Sequence, residues 1–234
     1  MTAAVSEHRF ETATALADEL AGQVAAEARE AVATRGSASL VLSGGRTPLP
    51  FFAALKEQAL PWNRIWIMLA DDRWVPLDSP DSNERMVREH LLTGPAKSAQ
   101  FVPLKNSAAT PQAGLAETAA ALAAIPRPFD VVILGMGDDG HTASLFPQAP
   151  QLAAALDRNS DAVCAAIDPI TAPHLRMTLT LAQLLASRRI IVHISGEAKW
   201  RVYQQARQNG PIEEMPIRAV LRQQEVPVDV YWSP

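Results

Sequence analysis

The sequence predicts an α/β fold, a mainly parallel sheet with helices on both faces, and three observations carry that expectation. The short runs Ser39–Leu42, Ile65–Leu69 and Phe129–Leu134 are apolar at nearly successive positions rather than alternating, as strands covered on both faces are. Such runs alternate along the whole chain with segments of helical periodicity, the order of a parallel sheet with crossover helices. Finally, 234 residues at 48% hydrophobic and 20% charged are enough for one large domain burying about 70–75% of its surface. The chain reads as a single domain over 1–234, with no internal repeat or low-complexity tract.

Each element has its own signal. Between Thr12 and Thr34, Leu16, Leu20, Val24 and Ala28 recur every four positions among charges, and Gly36 is placed to end that amphipathic helix. Ser39–Leu42 runs into Ser43-Gly44-Gly45, and Pro48 suits the first turn of a helix over Leu49–Gln58. After Ile65–Leu69 the chain turns polar at Asp71-Asp72-Arg73. Asp81 and Glu84 are spaced as a capping pair for a helix reaching Leu92. A polar stretch, Lys97–Pro111, follows, and Thr110-Pro111 opens an alanine-rich helix to Ile125. Further strands are expected at Ala162–Ile167, Leu175–Leu179, Ile190–Ile194 and Val228–Tyr231, with helices at Glu197–Gln208 and Ile212–Gln223.

Charge and cysteine content exclude several classes of function. With 21 Lys and Arg against 25 Asp and Glu, the net charge of -4 sets up no general attraction for nucleic acid or anionic membrane. An anionic ligand must be held by a few local cations. The single cysteine, Cys164, can form neither an internal disulfide nor a cysteine-built zinc site, and it lies in an apolar strand where a thiol packs inertly. Glu7, His8 and Arg9 stand where a secretory leader needs an apolar core, and no apolar run approaches a membrane span. The expectation is a cytoplasmic protein.

In sheets of this kind ligands gather outside the carboxyl ends of the strands. That rule sends Ser43–Pro48, Asp71–Arg73 and Gly137–Ser144 to one crevice, with Lys199 at the same edge. The Ser43-Gly44-Gly45-Arg46-Thr47-Pro48 loop suits a phosphate, because its glycines let backbone N–H groups approach an anion ahead of a helix N-terminus. A plain strand-to-helix turn would use the same residues. Gly135-x-Gly137-x-x-Gly140 matches the dinucleotide fingerprint in form only: Asp138 and Asp139 would face a pyrophosphate, and Pro147 would break the helix behind it. What that loop offers is His141 beside carboxylates, a pairing suited to general base chemistry. His8 and His90 lie on exposed segments, and His174 and His193 lie in or beside strands with no evident acidic partner. Asp71, Asp72, Asp139 and His141 are of metal-ligand type, but no His-x-x-x-His or His-Glu-x-x-His spacing supports a metal, and no Gly-x-Ser-x-Gly elbow supports a covalent nucleophile.

Taken in order, Ser43-Gly44-Gly45-x-Thr47-Pro48, Asp71-x-Arg73-x-Val75-Pro76 with Ser82-Asn83, Gly135-x-Gly137-x-Asp139-Gly140-His141-Thr142-Ala143-Ser144-Leu145-Phe146-Pro147, Arg176-x-Thr178-Leu179-Thr180 and Gly196-Glu197-x-Lys199 resemble the 6-phosphogluconolactonase family. The related glucosamine-6-phosphate deaminases share the first loop and the Asp-Gly-His core, but differ after the histidine. One position departs from the family: Asp72 stands where a glutamate is common. The resemblance implies a fold like that of ribose-5-phosphate isomerase and the deaminases, and hydrolysis of 6-phospho-D-glucono-1,5-lactone in the oxidative pentose phosphate pathway without cofactor or metal. The chemistry of the residues agrees with it, assigning His141 as general base, Asp139 or Asp72 as its orienting acid, and Arg73 to the developing oxyanion. Ser43, Gly44, Gly45, Thr47, Arg176 and Lys199 would then bind the substrate phosphate. The partner is a small sugar-phosphate lactone, with no nucleic acid and no membrane, for a monomer or small homo-oligomer. Two rivals stand beside this reading: an isomerase or deaminase acting on an amino sugar phosphate, and a non-catalytic sugar-phosphate sensor, which would want a basic DNA-reading helix that the first helix does not provide.

Overall fold

The computed structural model describes residues 5–234, and Met1–Ala4 lie outside the described residues. The chain enters on β1 (Val5–Arg9) and passes to α1 (Ala13–Arg35). Thr12 caps that helix by accepting the Ala15 N–H on its hydroxyl at 3.1 Å, and Gly36 closes it by donating to the Val32 carbonyl at 3.0 Å. Leu16, Leu20, Val24 and Ala28 are all fully buried. Next come β2 (Ala38–Leu42), α2 (Leu49–Lys56) and β3 (Ile65–Leu69), then β4 (Asp71–Arg73) and α3 (Asn83–His90). They are followed by β5 (Gln100–Val102), α4 (Pro111–Leu122) and β6 (Val131–Leu134). After α5 (Leu152–Leu156), β7 (Cys164–Ile167), β8 (Arg176–Leu179) and α6 (Leu181–Leu185), the chain closes with β9 (Ile190–Ser195), α7 (Glu197–Arg207), α8 (Ile217–Leu221) and β10 (Val228–Ser233).

Seven strands form one sheet in the order β1-β10-β9-β6-β2-β3-β5, and every pairing in it is parallel. β2 and β6 are buried at every position, which is why they read as continuous apolar runs. The other three strands form a separate antiparallel sheet in the order β4-β8-β7. Ala70 joins the two sheets: its N–H donates to Leu42 at the end of β2, and its carbonyl accepts from Leu179 of β8, both at 2.8 Å. The strands expected over 162–167 and 175–179 are present as Cys164–Ile167 and Arg176–Leu179, but they belong to the small sheet rather than the alternating one.

Three local expectations change. The cap of α3 is Ser82, whose hydroxyl accepts the Arg85 N–H at 3.1 Å, rather than Asp81. The helix expected over Ile212–Gln223 is confined to Ile217–Leu221, because Pro216 excludes the helical conformation from the residue before it. The polar stretch 97–111 contains β5. No helix among the described residues is long and apolar enough to cross a membrane.

Candidate active site

A cavity of about 250 Å³ opens at the carboxyl ends of β2, β6 and β9, where ligands of parallel α/β sheets collect. The structure brings to it all three segments sent there by the sequence: Ser43, Gly44, Gly45 and Thr47 from the first loop, Arg73 from the second and His141 from the third, with Arg176 and Lys199.

The His141 loop is tied down at several points. The Gly137 N–H donates to the His141 carbonyl at 2.8 Å, and the Thr142 hydroxyl donates to the Gly135 carbonyl at 2.8 Å. Ser144 donates its hydroxyl proton to Asp71 at 2.5 Å. The imidazole lies against Gly137 so closely that a Cβ there would come within 2.0 Å of His141 Nδ1, so only glycine fits. The ring also stacks on Phe146, with centroids 4.1 Å apart. Nδ1 meets the Asp139 carboxylate at 2.6 Å, and that same oxygen accepts the His141 backbone N–H at 3.0 Å. Burial pushes Asp139 up, but the hydrogen bond and charge of His141 outweigh it and hold this carboxyl below its ordinary range. Nε2 has no hydrogen-bond partner among the described residues, which leaves it to the cavity.

Alternation along β4 separates two neighbouring acids. Asp71 and Arg73 line the cavity, whereas Asp72 points away. The Asp72 carboxylate accepts the backbone N–H groups of Arg73 at 2.7 Å, Asn83 at 2.8 Å and Glu84 at 3.0 Å, and so fixes the head of α3. Asp139, not Asp72, is therefore the acid in contact with His141. Arg73 donates to the Asp81 carbonyl at 2.7 Å and Arg176 to the Pro173 carbonyl at 3.2 Å, yet the Nε of each is buried without a partner. Arg176 also lies 3.8 Å from Asp71 and packs 5.3 Å over the Phe146 ring that carries His141.

On the opposite side, the Ser43 hydroxyl is committed to the scaffold, donating to the Ile133 carbonyl at 2.9 Å and accepting from the Gly135 N–H at 3.1 Å. What this loop offers a ligand is its backbone. Gly44 is held against Asn83, whose Oδ1 would lie 2.0 Å from any added Cβ. Lys199, near the start of α7, is paired with Asp138 at 2.8 Å, so the loop's other acid holds a cation at the cavity edge.

Residues 11–232 match the family described as glucosamine-6-phosphate isomerases/6-phosphogluconolactonase. The chain belongs to that family. A 6-phosphogluconolactonase of Pseudomonas putida is 42% identical over the whole chain and 95% of its own length. A crystal structure of a 6-phosphogluconolactonase from Shewanella baltica OS155 superposes with a TM-score of 0.97 at 48% identity, covering 100% of both chains. A monomeric glucosamine-6-phosphate deaminase, 18% identical with a TM-score of 0.78 over 98% of this chain and 97% of its own, shares the fold alone. The 6-phosphogluconolactonase family fold is thus that of the whole described chain.

Four residues at this site have no assigned role in the sequence reading: Asp71, Asn83, Ser144 and His193. The first three hold the cavity wall together and lie inside the family motifs, which was the signal available. His193 sits in an apolar strand with no local signal. His174, read as lacking an acid, meets Asp81 at 3.0 Å across two loops distant in sequence, and His8 meets Asp229 at 2.8 Å. Among the described residues no group of three or more His, Cys, Asp or Glu is placed to hold a metal ion. Cys164 is buried away from the cavity, and burial pushes its thiol up to about 11.

Proposed function

We propose that the chain opens 6-phospho-D-glucono-1,5-lactone to 6-phospho-D-gluconate, in the oxidative pentose phosphate pathway of the cytoplasm, by attack of a water that His141 deprotonates. The observation that carries this reading is His141 itself: Nδ1 is held by Asp139 and Nε2 is left to a cavity that also contains Arg73, Arg176 and Lys199. A δ-lactone is an activated ester, so a positioned water, a base and a cation near the carbonyl oxygen suffice.

Nε2 takes one proton from the water as its oxygen bonds to C1, and the carbonyl electron pair moves onto oxygen. Arg73 faces that charge, a role worth about 3–4 kcal/mol at comparable sites. When the tetrahedral centre collapses, the bond from C1 to the ring oxygen breaks, and the proton on Nε2 passes to that oxygen. Asp139 keeps the imidazole in one tautomer and stabilises its charged form throughout. The phosphate lies on the backbone of Gly44, Gly45 and Thr47, with Arg176 and Lys199 supplying charge-assisted hydrogen bonds.

The test is a paired assay of acid release from the phosphorylated lactone and ammonia release from glucosamine 6-phosphate, each corrected for the enzyme-free reaction. Acid release alone is expected. Ammonia release, or no turnover of either, would overturn the reading.

A further inference from the structure

His193 is an imidazole in the wrong place for stability. It lies in the centre of β9, is 7% exposed, and meets the ring of Phe51 edge-on at 6.5 Å. Its Nδ1 is buried without a partner, and Nε2 has none among the described residues. A buried polar group left unpaired costs stability that an aliphatic side chain would not. Yet this side chain lines the cavity. Its strand lies beside β6, with Val192 in register with Leu134, so His193 stands next to the strand whose carboxyl end opens into the His141 loop.

We propose that His193 is a substrate-contacting residue that holds a ring hydroxyl of the sugar lactone on Nε2. The proposal rests on the lactone-phosphate reading of the cavity and adds the ring hydroxyls, which neither the phosphate cations nor the base at C1 account for. The chemistry of the site selects a hydroxyl. Phosphate is matched by the cations Arg176 and Lys199, and the lactone carbonyl by Arg73 and His141. Burial drives the His193 imidazole down to about 4, which keeps it neutral where the enzyme works. A neutral imidazole offers one donor and one acceptor, the complement of a neutral hydroxyl rather than of an anion. A site built to pair a hydroxyl also discriminates against analogues that lack it, because its own polar group is then stranded.

The experiment compares His193→Leu and His193→Gln with the wild type on the phosphorylated lactone and on its singly deoxygenated analogues, alongside urea unfolding. His193→Leu is expected to unfold no earlier than the wild type, to raise KM about tenfold and to leave kcat within about twofold. His193→Gln, which keeps a neutral donor, should recover part of the KM. One deoxygenated analogue should show the same KM with wild type and His193→Leu. An unchanged KM, or an equal KM increase on every analogue, would overturn the proposal. Should His193→Leu not fold, the wild type decides: the His193 ring-nitrogen resonances must move when 6-phosphogluconate binds, and resonances that stay put refute the contact. A wild type inactive on the lactone would sink the activity itself, whereas an active one with an indifferent His193→Leu sinks only this inference.

Discussion

Arg73 and Arg176 are direct register partners across β4 and β8, so two guanidiniums stand side by side on one wall of the cavity. Like charges this close repel, and Asp71, 3.8 Å from Arg176, offsets only part of that. With both Nε groups buried and unpaired, the wall is electrostatically incomplete until an anion occupies it. This is the arrangement expected of a site for a phosphorylated, charge-developing substrate.

Lys199→Ala should remove a charged contact of about 1.5–3 kcal/mol, seen as a fall in kcat/KM on the phosphorylated lactone with little change on plain gluconolactone. Arg176→Ala should show the same preference, together with lost stability, because buried Asp71 then keeps its charge without its cation. Steady-state kinetics on the two lactones decide the matter, and equal losses on both would show that these cations do not read the phosphate.

His141→Ala should lower the corrected rate about 10²–10⁴-fold, the usual scale of general base catalysis, while product binding survives. A variant retaining more than about a tenth of the rate, against that expected 10²–10⁴, takes His141 out of the mechanism.

The two acids should separate cleanly. Asp139→Asn leaves the imidazole without its charged partner and should lower kcat with an unfolding midpoint near that of the wild type. Asp72→Asn turns an amide N–H₂ toward backbone donors at the head of α3 and should cost about 1–3 kcal/mol of stability with kcat per folded molecule preserved. Denaturation and kinetics on both variants check this, and a kcat effect confined to Asp72→Asn would reverse the assignment.

Gly137→Ala should act on the reaction rather than on the fold. The added methyl would collide with Nδ1 of His141, so the ring must shift away from Asp139. Expected is a fall in kcat with KM for the phosphorylated lactone little changed. A fully active Gly137→Ala enzyme would mean that the imidazole position is not needed for turnover.

Stability should depend on pH through two groups of opposite sign. Burial raises Asp72 from its ordinary 3.8 to about 7, so the folded chain holds this proton more tightly. That contribution is complete below about pH 4 and is lost as the pH rises through 7. Burial lowers His193 from 6.5 to about 4, so the unfolded chain takes up the proton first. This second contribution is present above 6.5 and is lost as the pH falls through 4. Each amounts to at most about 1.4 kcal/mol per pH unit. Urea titrations from pH 4 to 7 should show Asp72→Asn gaining stability with pH relative to the wild type, and His193→Leu losing it. Curves parallel to the wild type in both variants would refute the assignment.

What could be read from the sequence follows the physics of each segment. β2, β3 and β6 were evident because burial on both faces leaves them continuously apolar. β1 was not, because Val-Ser-Glu-His-Arg at a sheet edge is half-exposed and carries no such pattern. Asp71-Asp72-Arg73 reads as a polar turn, and only its pairing with β8 makes it a strand. That same fact hid the division of labour between Asp71 and Asp72, since adjacency in sequence says nothing about opposite faces of a strand. The loops were legible because strand ends collect ligands, and Asp139 was one of two candidate partners for His141 because only Gly140 separates them. The meeting of His174 with Asp81, 93 residues apart, depends on tertiary structure that no local pattern encodes.

Ala70 has a wider consequence. The residues that move a proton hang from the parallel sheet, and the paired arginines ride on the small sheet that Ala70 hinges to it. The base and the paired arginines thus stand on different sheets, and the Ser144–Asp71 hydrogen bond and the packing of Arg176 over Phe146 tie the two together at the site.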